Sequence, residues 1–167
     1  AALDNAIVGL AHLFAFVALV FEPAGLYICG WDGLVECKEV STVGWLWHLY
    51  ASRFDPIFLN LPLWLKIMNS LDTLLFSWVY LFVALLLPRG VLDSSAGCRA
   101  FACAGAGALL YSTVVYFAYE LIAERGRADL PMVTLINLPW TVWPVLVLVR
   151  LSAAHPAGRA ASNKRSL

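Results

Sequence analysis

Four stretches of the chain are almost free of charge for the length of a bilayer crossing. The first, residues 6–21, reads AIVGLAHLFAFVALVF and gains a turn when residues 3–5 are added. About 20 apolar residues in a helix span the hydrocarbon layer, so the extended stretch suffices. It stops at Glu22-Pro23, because proline disfavours helix in the residue before it. The second, residues 64–87, is interrupted only by Lys66 and Asp72 and closes at Pro88-Arg89-Gly90. The third, residues 100–119, opens on small residues (AFACAGAGA) and ends on aromatics. Small side chains on one face let a neighbouring helix approach closely. The fourth, residues 131–149, contains Pro139 and Pro144. These free backbone carbonyls and bend a helix, which membranes tolerate where neighbours take up the slack. The pattern predicts one all-α domain over residues 1–167, a bundle of four transmembrane helices at about 5–22, 64–87, 100–121 and 131–150. The connection over 23–63 holds apolar, aromatic runs (GLYICGW, VGWLWHLY), so it is expected to pack on the bundle or lie along the interface.

Composition agrees. Of 167 residues, 62% are hydrophobic and 13% charged, with a mean hydropathy of +0.79. A soluble domain of this length cannot bury that much apolar surface. Trp45, Trp47, Tyr50, Trp64, Tyr111 and Tyr119 fall near expected span ends, as in an aromatic interfacial belt. With four spans, Arg89, Arg99, Arg150, Arg159, Lys164 and Arg165 share a side with both termini. Lys38, Arg53, Lys66, Arg125 and Arg127 lie opposite, so the count favours termini inside. The formal charge is +0 and no basic stripe is present, which excludes a nucleic-acid footprint. The chain begins Ala-Ala-Leu, which fits either a trimmed sequence or the removal of a targeting peptide.

The chemistry concentrates in a few polar positions. Asp72 sits about 12 Å into the second span at 1.5 Å per residue. A carboxyl at that depth is costly and usually faces the bundle interior, where it marks a site or a helix–helix hydrogen bond. Asn69 lies one turn earlier on the same face. Glu22 closes the first span. If Glu22 and Asp72 approach in a low-dielectric cavity, they cannot both ionise cheaply, and one is expected to hold a proton and bond to the other. Such a pair suits a ligand amine or hydroxyl. Glu120, followed by Glu124, Arg125 and Arg127, reads as an interface charge. His12 offers either an axial ligand for a pigment metal or a helix–helix hydrogen bond. Cys29 and Cys37 flank one interhelical segment and can pair if it faces an oxidising compartment. No zinc set, phosphate loop or nucleophile elbow is present.

The run Trp47-His48-Leu49-Tyr50-Ala51-Ser52-Arg53-Phe54-Asp55-Pro56-Ile57-Phe58, then Leu61-Pro62-Leu63-Trp64-Leu65-Lys66, then Asp72, resembles the EXPERA family, and within it the sigma-2 receptor branch, related to emopamil-binding protein. The acid 17 positions after the Asp-Pro aspartate and the Leu138-Pro139-Trp140-Thr141-Val142-Trp143-Pro144 stretch carry the likeness, which covers residues 6–151. The resemblance implies a four-helix bundle with a hydrophobic pocket opening toward the bilayer, binding sterols and cationic amphiphiles. By that likeness Glu22 pairs with a ligand cation. Asp72 holds a proton and bonds to Glu22, and Asp55 holds the loop. The order of the acids is Glu then Asp, the reverse of that branch. The sterol-isomerase branch needs a histidine and two glutamates, which His48 and the placed acids do not supply.

Three functions follow as expectations. One is a non-catalytic binder of lipid, sterol or cationic amphiphile. Another is an accessory subunit of a photosynthetic or respiratory membrane complex, packing lipids or pigments. A sterol isomerase is the third. The membrane would be the endoplasmic reticulum or an organellar one, thylakoid or mitochondrial inner. The partners are membrane lipids and, for the second function, the other subunits of the complex.

Overall fold

The computed structural model describes residues 1–23 and 41–153. Cys29, Cys37 and Lys38, and the basic residues Arg159, Lys164 and Arg165, lie outside the described residues. The described residues form helices and turns without a strand. Helices α1 (Ala2–Phe21), α3 (Leu63–Leu86), α5 (Ala96–Ile122) and α6 (Leu130–Ala153) are each long and apolar enough to cross a membrane. Between α1 and α3 lie α2 (Thr42–Arg53) and a 3-10 turn (Pro56–Leu59). A one-turn helix, α4 (Val91–Ser94), precedes α5. The chain is an all-α, four-helix, multi-pass membrane bundle.

Local chemistry sets the boundaries. Ser41 caps α2 by accepting from the Gly44 amide at 3.0 Å, and Ser95 caps α5 by accepting from Cys98 at 3.3 Å. Asp129 accepts from the Met132 amide in the first turn of α6. Gly90, at φ +69°, reverses the chain after α3, a left-handed conformation that glycine adopts without penalty. Pro139 and Pro144 both sit inside α6, which stays one continuous helix around them.

The outer surface is apolar. Leu74 is 72% exposed and Ile122 83%, as expected of side chains that face lipid tails. The interior divides in two. On the side of the termini, Phe14, Tyr80, Val83, Trp143 and Leu151 form a dry core. The Trp143 indole donates to the Ile7 carbonyl at 2.9 Å. Here α5 crosses α3 so closely that a Cβ on Gly105 would lie 2.6 Å from a Val79 methyl. At this end Arg150 of α6 holds Asp4 at 2.6 Å and Asp93 through two bonds of 2.9 Å. The Arg150 guanidinium keeps the Asp93 carboxyl below its ordinary range. On the other side, Ala51, Ile57, Phe58, Leu65, Tyr116 and Val133 tie α2 and the 3-10 turn to α3, α5 and α6. The described part of the long connection is therefore packed on the bundle.

Two spans are locally wider than an α-helix. Residues 17–21 of α1 and 72–76 of α3 wind as π-turns. The Glu22 amide reaches back five residues to the Val17 carbonyl, and the Ser77 amide to the Asp72 carbonyl. The buried Ser77 hydroxyl donates to the Thr73 carbonyl at 2.6 Å, which satisfies an acceptor within the widened turn. The two π-turns touch each other.

Candidate functional site

Beside the paired π-turns the packing opens into a cavity of about 400 Å³. Its walls come from α1, α2, α3, α5 and α6, and most of its lining is apolar, with Phe21, Trp47, Phe58 and Trp140 among the larger side chains. Glu22, Asn69 and Asp72 all line it, so the three positions expected to bind a ligand share one chamber. The Glu22 and Asp72 carboxyls are hydrogen-bonded to each other. Such a bond needs at least one proton between two acids, so the pair carries at most one negative charge.

Asp72 has a second partner. The Tyr80 hydroxyl, fully buried, donates to its Oδ1 at 2.9 Å. Tyr80 itself is held among Phe14, at 5.4 Å between ring centroids, and Trp143, at 5.1 Å. One oxygen of Glu22, Oε2, is buried with no hydrogen-bond partner.

A second polar group stands behind the cavity wall. Asp55 is fully buried just after α2. Its Oδ2 accepts from the Tyr50 hydroxyl at 3.0 Å and from the Tyr116 hydroxyl, so α2 and α5 both close on one carboxylate. The Asn137 amide of α6 donates to the Tyr50 hydroxyl at 3.1 Å and to the Val133 carbonyl at 2.9 Å. The Phe54 carbonyl accepts from the Asp129 amide at 2.8 Å, which fixes the loop before α6. Burial pushes the Asp55 carboxyl above its ordinary value, against the lowering effect of the two tyrosine hydroxyls. Burial and the neighbouring Asp55 charge push the Tyr50 phenol up as well.

Two expectations need correction. Glu120 is not an interface charge. It is fully buried, and neither carboxyl oxygen has a hydrogen-bond partner. The buried face of α5 runs on past Thr113 and Tyr116 for one further turn, which carries Glu120 inward. Glu124, one turn on, is buried as well, but an ion pair of 3.1 Å ties it to the exposed Arg127. His12 is exposed on α1, and its ring bonds to the Val8 carbonyl of its own helix at 2.8 Å, in place of the expected helix–helix hydrogen bond. Pro139 and Pro144 belong to the cavity-lining helix but do not line the cavity. His48, on α2, does not line it either.

Several contributing residues escape a reading of the sequence. Asn137 is an uncharged polar residue in an apolar span and obeys the rule that singled out Asn69. Tyr80 gives no such signal. It lies eight residues after Asp72, about 80° off the same face of an α-helix, and only the π-turn brings it round. No protein-family model, curated protein or solved structure matches the chain.

Proposed function

We propose that this membrane protein is a non-catalytic binder of a hydrophobic molecule bearing a cationic or hydroxyl group, of the lipid, sterol or amphiphilic-amine class. The single observation behind this reading is the carboxyl pair in the wall of a mostly apolar chamber. An apolar ligand body fills the chamber, and one donor group meets one net negative charge in a setting that water screens poorly. The EXPERA likeness leads to the same ligand class. None of the described residues lining the cavity is a histidine, and the reading includes no proton shuttle across a sterol double bond.

The test is binding of N,N-dimethyldodecylamine to the purified chain in lipid nanodiscs. Saturable binding that Asp72→Ala reduces by tenfold or more is the expected outcome, about the value of a charge-assisted contact. Binding that survives this substitution unchanged ends the proposal. Recovery of the chain from its native membrane only at fixed stoichiometry with a larger assembly would favour the accessory-subunit reading.

A further inference from the structure

The resemblance assigns the ligand's cation to Glu22 and the shared proton to Asp72. The hydrogen bonds around the pair argue for the opposite. Asp72 shares one hydrogen bond with Glu22 and receives a further donor, the Tyr80 hydroxyl at 2.9 Å. Glu22 has only Asp72, and its Oε2 has no donor at all. A carboxylate gains most from donors when it is ionised, and a carboxyl without donors loses most by ionising in a buried place. The single charge therefore belongs where the donors converge.

The backbone explains why Tyr80 can reach. In an unbroken α-helix the residue seven positions before Tyr80, Thr73, would share its face, and Asp72 would point to one side. The π-turn at 72–76 takes up one extra residue, so that the eight-residue step from Asp72 to Tyr80 closes two turns. The turn at 17–21 does the same in α1, where Glu22 lies eight residues after Phe14. Phe14 and Tyr80 are in ring contact, and Glu22 and Asp72 are in contact two turns away on both helices. The acid pair and the aromatic pair are thus held in one register.

We propose that Tyr80, which does not line the cavity, acts as a positioning residue that reverses the roles of the two acids: Asp72 holds the negative charge and receives the ligand's cation, while Glu22 carries the proton. This rests on the binding function proposed above, but its test does not depend on it alone. With N,N-dimethyldodecylamine as probe, Asp72→Asn weakens binding by about tenfold, whereas Glu22→Gln, which mimics a neutral carboxyl, changes it less than threefold. In a Tyr80→Phe background the two substitutions become equivalent, an outcome that loss of packing alone would not produce. A greater loss from Glu22→Gln than from Asp72→Asn overturns the assignment.

Infrared difference spectra of the ligand-free full chain supply the second measurement. Each variant is subtracted from the unmodified chain, which removes the bands of the buried Asp55 and Glu120. The pair's protonated-carboxyl band is lost in Glu22→Gln and kept in Asp72→Asn if the assignment holds, and the reverse pattern refutes it. Should the unmodified chain bind no amine, the proposed function falls while the spectra still decide where the proton sits. Register has its own check, in a chain whose four native cysteines are serine. Cysteines at 22 and 72 cross-link and those at 22 and 73 do not; cross-linking at 22 and 73 instead, as a plain α-helix in α3 would give, refutes the register.

Discussion

The same helices build two different interiors. Toward the termini, α1, α3 and α6 meet through Phe14, Tyr80 and Trp143 with no room to spare. Two turns further along α1 and α3, the residues in contact are Glu22 and Asp72, and the space beside them is open. In the first region each large side chain is an apolar wedge, and its one indole donor is satisfied by a backbone carbonyl. In the second, polar groups stand in pairs around a chamber. The contrast teaches that stability and binding are written into separate lengths of the same spans, joined by Tyr80, whose ring belongs to the first and whose hydroxyl belongs to the second.

The strongest way to break that comparison is to damage the packed end and ask whether the chamber notices. Trp143→Ala removes a fully buried indole and its hydrogen bond, and should cost about 3–5 kcal/mol. Denaturant titration in mixed micelles measures it. Amine binding by the fraction still folded should stay within threefold of the original. A binding loss in proportion to the stability loss would show the two regions to be one unit.

Gly105→Ala probes the same region with a smaller change. The added methyl would sit 2.6 Å from Val79. Valine branches at Cβ and has few ways to withdraw, so α5 must move off α3, at about 1–3 kcal/mol. Gly107→Ala, which meets nothing within 4 Å, is the control and should be neutral in the same titration.

The chamber's rear wall gives the third test. Asp55→Ala strips the acceptor from two tyrosine hydroxyls, and an unsatisfied buried hydroxyl costs about 1–3 kcal/mol. Asp55→Asn keeps an acceptor oxygen for them and should lose clearly less. The pH dependence follows from the raised carboxyl. Between its unfolded and folded values the folded chain binds more of a proton than the unfolded one, so stability falls as pH rises through that window. Asp55→Asn should flatten the slope, read as melting temperature against pH.

Much of this was legible in the residues, for identifiable reasons. Lipid selects on composition over about 20 positions, so the four spans could be read without any knowledge of contacts. Asp72 and Asn69 stood out because polar groups are rare at that depth, and their spacing of one turn survives in the folded helix. Glu120 is misread because its neighbours Glu124, Arg125 and Arg127 suggest a water-facing end, while the buried face of α5 runs on through that turn toward Asp55, a residue far away in sequence. Tyr80 was invisible because periodicity assumes a uniform helix, and a π-turn shifts the face of every residue beyond it by a whole position.

The smallest effect expected is at the outer end of the packed region, where Arg150 bridges Asp4 and Asp93. Both acids are part-exposed, with side-chain exposures of 31% and 39%, so water and salt screen the contact and its contribution is slight. Its sign is nonetheless fixed. Arg150 holds the folded Asp93 carboxyl below its ordinary value of 3.8, so the stabilisation is present above that value and disappears as pH falls through the lowered one. Asp93→Asn should therefore lower the melting temperature slightly at neutral pH and low salt, and have no effect in strong acid. Its effect should also shrink with added salt, whereas the Trp143→Ala deficit should not. A salt-insensitive loss at Asp93 would mean that the residue acts through the short helix it sits in rather than through the ion pair.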